Sequence, residues 1–227
     1  MDSRVVGREL RAVVRPTLEA AGFTVFRGRV AWRTLEDQTW VVSFQSFNAH
    51  VAEGVGCTTY SFSVRLGLHL SDDLPLPRSA DSALPKEYES SFRFTALKRL
   101  TQPYFHPWGD PRVTDRRDVW FVREDGSNLA EVVRDARDVI SASGLRQLEA
   151  YRDPLYAYCA LFDYARRWPP RAIDDDIEVI PSGAHGSPRW QQLIEVLGRR
   201  LGRDPTADRT SGLPVGIIDA VLGSSRP

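Results

Sequence analysis

The chain has 227 residues, of which 42% are hydrophobic, 26% charged and 10% aromatic, a composition that builds a core and excludes a disordered or fibrous polymer. Thirty basic side chains balance thirty acidic ones, which removes the whole-chain field that draws nucleic-acid binders to phosphate and leaves only a local basic face open. No stretch approaches the ~20 apolar residues of a membrane span, and residues 1–10 carry charges where a signal peptide needs an apolar core, so the expectation is a cytoplasmic protein with no membrane partner.

The first element is an amphipathic helix. Val6, Leu10, Val13, Val14, Leu18 and Ala21 recur at three- and four-residue intervals, with Arg8, Glu9, Arg11, Arg15 and Glu19 largely on the other side. Gly22 ends it, and Pro16 kinks it or splits it in two because proline removes a helical hydrogen bond. Period-two alternation then governs residues 23–33, 39–47 and 58–70, which read as strands. Residues 34–38 are short enough for a hairpin, and residues 48–57, with Gly54 and Gly56, read as a loop. A register in which Trp32 meets Trp40 sets Arg29 opposite Ser43 and Arg27 opposite Gln45. Alternation assigns Phe26, Val30, Trp32, Trp40, Val42, Phe44, Tyr60, Phe62, Val64, Leu66 and Leu68 to a core face covered by helices. The polar face collects Arg27, Arg29, Arg33, Ser43, Gln45, Ser61, Ser63, Arg65 and His69.

Residues 71–85, with three prolines, form a loop, and a fourth strand is expected at 90–97. Residues 101–117 read as loop again and 118–122 as a short edge strand. Ser127 or Asn128 caps a helix whose stripe is Leu129, Val132, Val133, Ala136, Val139 and Ile140, ended by Gly144. Beyond Asp153 the strand signal disappears, and residues 156–167 and 188–201 are helical by periodicity. The predicted fold is α+β: an antiparallel sheet of four or five strands packed on one face by helices over residues 1–152, with a helical C-terminal extension over 153–227.

Leu18-x-x-x-Gly22-Phe23, Trp32-Arg33, Trp40-Val41-Val42-Ser43-Phe44-Gln45 and Phe62-Ser63-Val64-Arg65-Leu66-Gly67 together resemble an uncharacterised bacterial domain-of-unknown-function family with the pattern L-x-x-x-G-F, R, V-x-x-Q-K, F-T-x-N-L-G. The resemblance spans about residues 5–149. Arg65 stands where the family has Asn, and Ser46 where it has Lys or Arg. It implies the fold and carries no activity.

Arg27, Arg29, Gln45 and Arg65 are the candidate ligand-binding residues, since guanidinium forks on one sheet face suit a carboxylate or phosphate. The alternative is an ordinary solvated sheet face. Same-parity positions lead to an expected separation of about 10 Å or less between the Arg29 and Arg65 guanidiniums, close enough to require a counter-charge. Only Lys86 and Lys98 among the basic residues are lysines, which lowers the weight of any single arginine.

No catalytic residue is assigned. Cys57 lies near His50 in sequence, which is weak support for a nucleophile, and the Gly-x-Ser-x-Gly and phosphate-cradling glycine patterns are absent. Cys57 and Cys159 are too few for a disulfide framework and too far apart for a zinc site. His50, His69, His106 and His185 lack metal-ligand spacing, and the consecutive Asp174, Asp175 and Asp176 cannot converge on one ion, so no metal and no cofactor are expected. Tyr104, Phe105, Trp108 and Trp120 read as core or loop anchors in preference to a base-stacking platform. The functional expectation is a non-enzymatic protein-binding or accessory module of the immunity type, with another protein as partner and no nucleic acid. The alternative is a small-anion-binding sensor or enzyme using the Arg/Gln patch.

Overall fold

A computed structural model describes residues 3–70, 84–86, 90, 92–94, 96–100, 116–153, 156–157 and 177–179 of the chain. The first helix is split as proline chemistry requires, into α1 (Ser3–Val13) and α2 (Arg15–Ala20). Pro16 falls in the first turn of α2, where a missing N–H leaves no intrahelical bond unmade. Hydrogen bonds from Val14 N–H to Leu10 and from Leu18 N–H to Val14 bridge the joint. At the far end, Gly22 (φ +84°) reverses the chain. Its N–H bonds Glu19 C=O while that of Phe23 bonds Leu18 C=O, the paired closure of a Schellman motif, with Leu18 and Phe23 both buried. The sequence Leu-x-x-x-Gly-Phe is therefore a helix stop with its hydrophobic clasp.

The sheet runs β1 (Val25–Arg27), β2 (Val30–Thr34), β3 (Gln38–Ser46), β4 (Phe62–Leu70), β5 (Phe92–Phe94) and β6 (Ile177–Val179), in that spatial order and antiparallel throughout. The class is the expected α+β with helices against an antiparallel sheet. Among the described residues six strands result, because residues 23–33 supply two, folded on each other through Gly28 (φ +59°) and Arg29, and because β6 arises in the segment read as helical.

The β2–β3 register differs from the expected one. Trp32 pairs with Val41 and Arg33 with Trp40, because Leu35 N–H bonds Gln38 C=O and the turn is the two residues Glu36 and Asp37 instead of three. A one-residue slip turns every side chain of β2 over. Ala31 and Arg33 therefore join Trp40 and Val42, and Arg33 lies 4.6 Å above the Trp40 ring. Trp32 goes to the opposite face and donates from Nε1 to Pro85 C=O at 2.6 Å.

On the helix-covered face, Val6, Leu10 and Val14 of α1 and its joint, Leu18 of α2, and Val132, Val133 and Ala136 of α4 (Leu129–Val139) share one core with Val42, Val64, Leu66 and Leu68. Phe62 is held between Phe44, edge-on, and Trp120, stacked, both with ring centroids at 6.0 Å. Trp120 Nε1 donates to Asp135 of α4 at 2.9 Å, so a buried indole fixes a buried carboxylate.

The face read as polar and wet is a correction. Thr39, Val41, Ser43, Ser63 and His69 on it are all buried, and Val41 is wholly inaccessible. Three further expectations are revised. Residues 118–122 form no strand: only Trp120 bridges Phe62, while Thr58 and Ser61 hydroxyls take the Val122 C=O and N–H. The expected loop 48–57 contains α3 (Ala49–Val55), capped by Asn48 Oδ1 accepting from Val51 N–H at 2.9 Å. Gly144 does not end α4, which passes through a π-helical turn (Ile140–Gly144) into α5 (Leu145–Ala150). Asn128 does sit at the α4 N-cap position, but its side chain bonds Phe121 C=O and Arg123 N–H instead of the helix. Cys159, His106, His185, the aromatic group at 104–108, the acidic run 174–176 and most of the extension 153–227 lie outside the described residues.

Candidate binding groove

Between α1–α2 and the β1–β2 hairpin lies a cavity of about 150 Å³. Its apolar lining is Leu10, Val14, Leu18, Phe26, Ala31 and Phe44. The first three stand four residues apart on one helical stripe, and the last three belong to the sheet face that α1 covers. Three arginines complete the wall. Arg11 and Arg15 are exposed one position after Leu10 and Val14, and the two-residue turn brings half-buried Arg29 in from the hairpin. Two glycines keep the rim low: a Cβ on Gly7 would meet only Arg11 Nη1, at 3.9 Å, and one on Gly28 would meet nothing within 4 Å.

The groove is electropositive. Arg15 is anchored, its Nε 2.7 Å from Glu19 Oε1 and its guanidinium 4.6 Å above the Phe26 ring. Burial draws the Arg29 pKa below its ordinary value, since desolvation disfavours the charged form. Arg8, Arg11 and Arg27 have no carboxylate within 4.0 Å among the described residues. Residues 3–33 hold seven arginines against two glutamates, in a chain whose total charge is zero.

Of the residues singled out from sequence, Gln45 and Arg65 come together: Arg65 Nε donates to Gln45 Oε1 at 2.7 Å across β3 and β4. Arg29 does not join them. It lines the groove beneath α1, whereas Arg65 pairs with Ser43 on the opposite face, and Arg27 is exposed on β1. Near Arg65, Arg116 binds Asp118 by two hydrogen bonds of 2.8 Å. Those bonds hold the Asp118 carboxyl below its ordinary value against the opposing effect of burial, with smaller help from the charges of Arg116 and Arg65. Cys57 lies beside this pair. Burial pushes its thiol up to about 11 despite the Ser61 hydrogen bond and the Arg116 charge, which keeps it protonated and a weak nucleophile at neutral pH.

No family model, curated protein or solved structure matches the chain. Among the described residues no three His, Cys, Asp or Glu side chains are grouped to hold a metal ion, and no helix is long and apolar enough to cross a membrane.

Sequence reasoning placed Leu10, Val14 and Leu18 in the core and Arg11 and Arg15 on the wet side. It did not see that the two sets meet at an open seam. The available signal was charge counted per segment instead of per chain.

Proposed function

We propose that the chain is a non-enzymatic binding protein, an accessory module of the immunity type, that contacts another protein through the α1–α2/hairpin groove. The observation that carries this reading is the junction of an apolar cavity with arginines on a segment five charges in surplus. Apolar pockets rimmed by charge mark interaction sites, and a cationic rim favours a partner surface of the opposite sign. A cytoplasmic location and a distant kinship with the domain-of-unknown-function family go with this reading; the Schellman closure at Leu18, Gly22 and Phe23 gives that family's Leu-x-x-x-Gly-Phe pattern a physical role here.

The small-anion reading at the Arg/Gln patch has less support. Arg65 already donates to Gln45, and the Asp118 carboxylate lies close enough to feel its charge, so the counter-charge expected from a ligand is supplied within the chain.

The test is affinity purification of the full-length tagged protein from its native host, beside the Arg11→Glu variant. A specific protein recovered with the first and lost with the second is the expected result. Recovery of nothing after cross-linking, or equal recovery with both, removes the groove as the contact surface.

A further inference from the structure

We infer that the groove takes an acidic peptide segment of the partner, with one large apolar side chain seated in the cavity and flanking carboxylates on the α1 arginines. This rests on the protein-binding reading and names its ligand.

Size comes first. The cavity holds about 150 Å³, below the roughly 300–1,000 Å³ of sites that enclose a drug-sized molecule. It has room for a single side chain of the size of Leu or Phe, and Leu10, Val14, Leu18 and Phe44 give that side chain apolar walls between the arginines. An anchor of this kind in a desolvated pocket is what dominates binding energy at protein interfaces.

Charge comes second. Arg4, Arg8, Arg11 and Arg15 follow one another at intervals of four, three and four residues, which places them on successive turns along one side of α1–α2. All four are exposed. The spacing matches an extended or helical segment lying along the helix, with acidic residues on both sides of its anchor. Arg11 is central: it lines the cavity and has no ion pair among the described residues, so a ligand carboxylate displaces no internal partner there. A nucleic acid fits less well. The groove's aromatic rings, Phe26 and Phe44, are half-buried or buried, and Phe26 is already covered by Arg15, so no open stacking platform accompanies the arginines.

The experiment uses full-length protein and fluorescein-labelled heptapeptides with three acidic residues on each side of a central Phe. Fluorescence anisotropy is expected to show saturable binding, weakened by about tenfold or more when the central Phe is replaced by Ala, and similarly by Arg11→Glu on the protein. Binding is also expected to fall with added salt. Gly7→Leu should block the cavity while the melting temperature holds, because Gly7 lines the cavity, a Cβ there meets only Arg11 Nη1 at an ordinary 3.9 Å, and a helix-interior glycine is replaced by a better helix former. Equal binding of the Ala peptide overturns the anchor. Equal or tighter binding of a duplex oligonucleotide, or of anionic phosphatidylserine vesicles, overturns the peptide class. If Arg11→Glu loses the native partner yet no acidic peptide binds, the ligand assignment falls and the binding-protein reading stands.

Discussion

The two faces of the sheet are written in different alphabets, yet both are largely buried. Along β4, Phe62, Val64, Leu66 and Leu68 face the helices, while Ser63, Arg65, Gly67 and His69 face the other way, and all but Arg65 are buried. Alternation reports which side of the strand a residue leaves by. It does not report what lies on that side. Small residues such as Ser43, Ser63 and Gly67 let a covering segment approach closely, and the Trp32 to Pro85 hydrogen bond marks where one does. A sheet with serines and a histidine on its second face can thus be a middle layer.

The sharpest way to break this comparison is a charge on each face. Phe62→Asp and Val41→Asp should both unfold the protein, since an unpaired buried carboxylate costs several kcal/mol against a total stability of roughly 5–15 kcal/mol. Gln45→Asp, at an exposed position beside Arg65, should change stability by no more than about 0.5 kcal/mol. Circular-dichroism melts of the three variants decide it. A Val41→Asp protein that melts with the wild type would mean that the second face is open after all.

A smaller effect is expected at the helix stop that delivers the chain to β1. Gly22→Ala forces an L side chain into φ +84° and sets its Cβ 3.1 Å from Arg33 Nε. The expected loss is about 1–2 kcal/mol, read as a lower urea midpoint with unchanged slope. An unaltered midpoint would show that the left-handed turn is not required there.

What could be read from sequence followed from long, regular patterns. The α1 stripe, the break at Pro16, the β3 and β4 strands and the α4 stripe all emerged because periodicity over nine or more residues averages out single exceptions. What could not be read was set by short-range or long-range geometry. A two-residue turn at Glu36 and Asp37 in place of three reversed β2, a change that alternation alone cannot detect. The seven-residue α3 buries only Ala52, too little to show a helical period. The pairing of Arg29 with Arg65 failed for a different reason from the Trp32–Trp40 pairing: it assumed a single continuous first strand, whereas Gly28 and Arg29 turn it into a hairpin. Gln45 and Arg65 were placed together correctly because they lie on the long β3–β4 ladder.

The smallest expected effect separates compensated arginines from the surplus around the groove. Arg116 and Asp118 are bound by two hydrogen bonds, yet their side chains remain 43% and 27% exposed, so solvent screening limits the pair to about 1 kcal/mol or less. The carboxyl is depressed below its ordinary 3.8 in the folded protein. A depressed acid contributes stability that is fully present above its unfolded pKa and is lost as pH falls through the folded one. The stability difference between wild type and Asp118→Asn should therefore hold steady from about pH 7 to pH 5 and shrink below about pH 4. Urea titrations at three pH values measure it. A difference that persists undiminished in acid would mean that the pair is held by shape and hydrogen bonding, with ionisation of Asp118 contributing nothing. The Arg11→Glu substitution should show no such acid loss of a native ion pair, since Arg11 has no carboxylate partner among the described residues to lose.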